Sequence, residues 1–132
     1  TLGPASSVSQ YSAKSAKEVA YHLERSSDWV IRLGDGTQES HARMQQSVDD
    51  LWMYTGEMFT ADAADTEIAQ AGAAPDLATL REPWLEEVRN VFAEATLIVP
   101  GEAWMQSGGK QGVHTEKLGF LLAEMQYLQR AY

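Results

Sequence analysis

The chain has 132 residues, of which 44% are hydrophobic, with four tryptophans and no cysteine. That is one domain's worth of chain or part of a larger domain, able to build a core and free of disulfides and thiolate chemistry. Nineteen acidic residues against ten basic give a formal net charge of −9, and a chain of that sign with no basic patch repels phosphate backbones, which argues against nucleic acid as a partner.

No apolar run approaches the roughly 18–20 residues that span a bilayer, so no membrane association is expected. The opening Thr1–Gln10 is rich in Ser with a Gly and a Pro and reads as a tail or an incoming connection. It lacks the basic end and apolar centre of a signal peptide, and the missing initiator methionine suggests a trimmed chain. Lack of cysteine suits a reducing compartment, and a cytoplasmic location is the expectation.

The most informative stretch is Lys17–Phe59. Ser15-x-x-Glu18 has capping-box spacing. From there Val19, His22, Leu23, Ser26, Trp29, Val30 and Leu33 repeat at three and four, one stripe of a helix. Asp28 and Arg32 stand four apart in the favourable order for an ion pair. Gly34 is placed to end the helix in the left-handed conformation. After the turn Leu33–Thr37, Thr37 or Ser40 can cap a second helix, with Glu39 near its positive end. His41, Met44, Val48, Leu51, Trp52, Thr55 and Phe59 form its stripe. The connection is short, so the two helices are expected to form an antiparallel hairpin.

Thr60–Pro75 is rich in Ala and Asp and carries at most a turn or two of helix at Thr66–Ala71. A third helix is expected from about Asp76 or Leu80 to Val99, with Thr79-x-x-Glu82 as a second capping box and Pro83 tolerated in the first turn. Leu80, Trp84, Val88, Val91, Phe92, Ala95 and Ile98 are its apolar face, and Pro100-Gly101 stops it. A connection with Trp104 and Met105 leads through Ser107-Gly108-Gly109-Lys110-Gln111-Gly112 into a last helix at Thr115–Ala131, faced by Leu118, Leu121, Leu122, Met125 and Leu128. Every clear element is helical, and the fold class is all-α.

Helical bundles that hold two irons use glutamates with Glu-x-x-His, because a spacing of three aims both side chains into one site. Three residues before the histidines stand Val19, Gln38 and Gln111, so none of His22, His41 and His114 fits. Glu18 and His22, four apart, still face one side of a helix; a helix-face histidine bonded to a neighbour is the simpler reading. His114 and Glu116 straddle a helix start without a third catalytic partner. The glycine-rich 108–112 loop follows no strand and matches neither GxxxxGK[ST] nor GxGxxG, which leaves an ordinary connection in which Lys110 is free to meet an anion. These residues favour a scaffold over a catalyst. The rival readings are a di-metal oxygenase or ferroxidase and a stand-alone helical binding module.

Four blocks, RLGDGT with SHARMQQSVDDLWMYTGEMF, EATLIVP, and SGGKQGVHTEKLGFLLAEMQYLQR, carry a family resemblance covering nearly the whole chain from Ser12. They resemble the C subunit of bacterial phenylacetyl-CoA epoxidase, a multicomponent monooxygenase of aerobic phenylacetate breakdown. The resemblance implies a ferritin-like helical subunit that scaffolds the di-iron A subunit, carries no cofactor of its own and has lost a working metal site. Glu18-x-x-Tyr21 then looks like a former Glu-x-x-His, which makes Glu18, Tyr21 and His22 candidates for a vestigial metal site. The family's chain has further helices before this segment, so the resemblance is to its C-terminal half. The absent helices and the other members of the complex are the expected partners.

Overall fold

The computed structural model describes residues 4–101 and 103–131, with residues 4–11 by backbone alone. Its helices are α1 (Pro4–Gly34), α2 (Gln38–Trp52), α3 (Ala63–Gln70), α4 (Arg81–Glu94) and α5 (Lys117–Ala131). Short 3-10 turns lie at Gly56–Phe59, Leu77–Leu80 and Gly109–Gln111. No strand occurs among the described residues, and the all-α arrangement is consistent with a ferritin-like bundle.

Helix α1 is 31 residues long, about 46 Å. The expected tail is therefore helix from Pro4 onward, while residues 1–3 lie outside the described residues. Ser15 and Glu18 fall inside a helix already running, so they cap nothing. A helix needs no dedicated cap where the preceding residues themselves propagate it, and the Ala-, Ser- and Lys-rich stretch 5–17 contains no breaker.

The end of α1 lies against both α2 and α4. The residues it turns inward are Ser27, Val30, Ile31 and Gly34. The more apolar stripe expected to fill this role stays open, with Val19, Leu23, Trp29 and Leu33 exposed. Small residues at 27 and 34 let the backbones approach, and that row faces the neighbours. Gly34 is buried and lacks a positive φ, contrary to the left-handed ending expected of it. A Cβ there would lie 2.4 Å from the Ala95 carbonyl oxygen. Close approach, and not turn geometry, calls for glycine here. The Asp28–Arg32 pair does not form either: Arg32 lies over the Trp29 ring, 6.0 Å from its centroid.

Helix α2 begins as expected. The Thr37 hydroxyl accepts from the Ser40 amide at 3.2 Å, and the Ser40 hydroxyl accepts from the Thr37 amide at 2.9 Å. This reciprocal box supplies both free donors. His41, Met44, Gln45, Val48 and Trp52 are its half-buried face. It stops at Trp52, short of Phe59, because the chain tightens there: Thr55 donates its amide and its hydroxyl to the Trp52 carbonyl, and the Gln106 amide takes the Met53 carbonyl at 2.8 Å. A short helix at Ala63–Gln70 follows, begun by a box between Asp62 and Asp65.

Helix α4 has no side-chain cap, so the Thr79–Glu82 box is absent; Asp76 instead accepts from the Ala78 amide and starts a 3-10 turn. It also ends at Glu94, five residues before the expected Val99. Thr96 adopts φ 58°, Leu97 N–H donates to the Phe92 carbonyl at 2.9 Å, and Thr96 N–H to Ala93 at 3.3 Å. This is a Schellman ending with threonine where glycine is usual. Residues 97–100 then run without helix, held by Gln45, whose amide pairs with both the N–H and the C=O of Ile98 at 2.8 and 3.0 Å.

The buried core is small: Leu85, Ala95 and Leu97 among the described residues. Beside it Trp84 meets Trp52 and Phe59 with ring centroids 5.7 and 5.2 Å apart. The chain exposes 10644 Å², about half as much again as the roughly 6,900 Å² of a compact monomer of its 14.6 kDa mass. Among the described residues α5 makes no substantial contact with another helix. Phe120 and Tyr127 are exposed on one side of α5, and Leu121, Met125 and Leu128 on the other.

Candidate functional site

The three vestigial-site candidates share one turn of α1, far along the helix from its packed end. All three are exposed, Tyr21 to 55%. The Tyr21 and His22 rings meet edge to face, 5.8 Å apart at 63°. The Ser26 hydroxyl donates to the His22 carbonyl, so it is the backbone of His22 that finds a neighbour. Among the described residues no three His, Cys, Asp or Glu gather as metal ligands. Helical bundles that hold two irons draw carboxylates from several helices.

The other histidines lie elsewhere. His41 Nδ1 is 2.8 Å from the Gly34 carbonyl oxygen, and the Thr96 hydroxyl comes within 3.4 Å of both. His41 thus meets a carbonyl at the C-terminus of α1 and ties it to the turn after α4. His114 lines an open cleft of about 570 Å³ with Tyr54, Gln106, Thr115 and Lys117; Glu116 is not among its lining residues.

Geometry gives the glycine loop a role that spacing did not. Gly108 and Gly109 donate their amides to the two carboxylate oxygens of Glu57, at 2.9 and 3.1 Å. Lys110 Nζ donates to the Thr60 carbonyl at 2.9 Å and to the Asp65 carboxylate. That hydrogen bond from Lys110 holds the Asp65 carboxyl below its ordinary range, and its counterpart raises the Lys110 ammonium. Glu57 leaves no local pattern in the sequence, because it stands about fifty residues before the loop; the clustered glycines are the one sign there that backbone amides converge.

A family model for phenylacetic acid catabolic proteins matches residues 5–132. The chain belongs to this family. The chain is also 51% identical, over 119 residues, to the C subunit of the 1,2-phenylacetyl-CoA epoxidase from Escherichia coli (strain K12). The match takes in 90% of the present chain and 48% of that relative, so the chain spans about half the relative's length. No helix among the described residues of this family member is long and apolar enough to cross a membrane.

Proposed function

We propose that this chain is part of a non-catalytic, structural subunit of a phenylacetyl-CoA epoxidase, which holds and orients the subunit bearing the di-iron centre. The observation that carries the reading is the 51% identity to the C subunit of such an epoxidase over 90% of the chain. Two physical features support it. The Glu-x-x-His pattern is missing at all three histidines, and the nearest remnant, Glu18 with Tyr21 and His22, is exposed on one helix. The chain also exposes far more surface than a compact monomer, large apolar side chains included, with Phe120 72% and Met125 71% exposed. The surplus, about 3,700 Å² against the expected value, exceeds the roughly 1,000–2,500 Å² that one partner contributes to an obligate interface and leaves room for more than one such contact. In this reading the chain binds no cofactor of its own. Its helix faces lie against the remaining helices of its own subunit and against the catalytic A subunit.

Co-expression of the full-length natural protein with the A subunit, followed by affinity capture, tests the reading. The wild type is expected to co-purify in fixed ratio, and Phe120→Asp with Met125→Asp to lose the partner. A stable monomer that ignores the A subunit in this capture would contradict it.

A further inference from the structure

The stretch from Trp104 to the start of α5 contains one short 3-10 turn, and α5 packs on no other helix to any extent. Yet this stretch is tied down at several points, each from a residue about fifty positions earlier. Gln106 N–H reaches the Met53 carbonyl, Gly108 and Gly109 hold the Glu57 carboxylate, and Lys110 reaches Thr60 and Asp65. Successive amides can converge on one anion because Gly108 takes φ 98° and the next residue turns into the 3-10 helix. The fit depends on the glycines. A Cβ on Gly109 would sit 2.8 Å from Glu57 Oε2, and one on Gly108 would sit 3.1 Å from the Val113 Cβ.

We infer that residues 106–110 form a strap, an anion-binding nest filled by the chain's own Glu57 and locked by Lys110 on Asp65, that sets the direction in which α5 leaves the hairpin. Gln106, Gly108 and Gly109 are half-buried but carry no apolar side chain, and Ser107 and Lys110 are exposed; charge-assisted hydrogen bonds, about twice as strong as neutral ones, take the place of apolar packing. The glycines that imitate a phosphate loop in the sequence serve an internal carboxylate. The inference concerns the chain's own geometry and does not depend on which partner covers α5.

Amide hydrogen exchange on the full-length natural protein tests it. Glu57→Ala and Gly109→Ala are expected to speed exchange across residues 104–113 by about tenfold or more, with the α1–α2 hairpin unchanged. Lys110→Arg is expected to retain most protection and Lys110→Met to lose part of it. Gln46→Ala, whose amide bonds only Asp50 on the α2 surface, is the control and should leave the strap as it was. Wild-type rates across 104–113 in Gly109→Ala overturn the inference, as does acceleration spread evenly over the hairpin. Should Glu57→Ala fail to fold, Glu57→Gln keeps the shape and one acceptor; faster exchange of the Gly108 or Gly109 amide supports the strap, and unchanged rates refute it.

Discussion

Gly34 and Ala95 meet so closely that the C-terminus of α1 rests on the backbone of the turn after α4. A Cβ on Gly34 would stand 2.4 Å from the Ala95 carbonyl oxygen and 2.8 Å from its Cβ. Ala95 is fully buried, so neither side has room to yield. Gly34→Ala is expected to destabilise the fold by about 1–3 kcal/mol, as overpacking does. Ala95→Gly added to it removes the Cβ clash and leaves the carbonyl one, so the double variant recovers only part. Urea midpoints of the two variants check this; an unchanged midpoint for Gly34→Ala contradicts it.

Gln45 does for residues 97–100 what a neighbouring strand would do, pairing with the N–H and C=O of Ile98. Ile98 is exposed, so water can replace the lost partner and the effect is modest. Gln45→Ala is expected to cost about 1 kcal/mol. Gln45→Glu keeps the acceptor for Ile98 N–H and loses the donor, so it should fall between. Faster exchange of the Ile98 amide in Gln45→Ala than in Gln45→Glu is the specific signature.

Trp84 joins α4 to the end of α2 and to the 3-10 turn that follows it, through its contacts with Trp52 and Phe59. It is half-buried. Trp84→Ala is expected to cost about 2–4 kcal/mol, near the lower end for aromatic truncation. Trp104, exposed in the connection, is the comparison: Trp104→Ala should shift the denaturation midpoint little.

The bond between Lys110 and Asp65 makes the strap sensitive to pH at both extremes. Asp65 is lowered from 3.8, so its contribution is complete above that value and fades as pH falls through the lowered one. Lys110 is raised from 10.5, so its contribution is complete below that value and fades as pH rises through the raised one. Exchange in residues 104–113, corrected for intrinsic rates, is therefore expected to be flat from about pH 5 to 9. Lys110→Met should remove the loosening at the acid end that wild type shows.

The helices themselves were legible because their apolar residues recur at three and four, and α2, α4 and α5 begin close to where the sequence puts them. The Thr37–Ser40 cap was legible for the same local reason. Three features were not. The early end of α4 depends on Thr96 holding a left-handed φ, which residue type disfavours and which the Gly34 carbonyl and His41 stabilise from across the chain. The inward row of α1 follows from small residues permitting close approach, while hydrophobicity pointed one residue away. The Glu57 nest joins residues about fifty apart. Of the candidate site, the absent Glu-x-x-His was plain in the sequence. The exposure of the stripe residues Val19 and Leu23 beside Tyr21 was not, since their apolar character suggested burial.

In the proposed role this chain supports a metal-bearing partner and does not itself take part in the chemistry. The most direct measurement is phenylacetyl-CoA epoxidation by the reconstituted complex in which this chain carries Glu18→Ala, Tyr21→Phe and His22→Ala together, with complex mass followed by light scattering. The proposed role predicts a complex of unchanged mass that turns over at close to the wild-type rate. Turnover abolished in a fully assembled complex would contradict it.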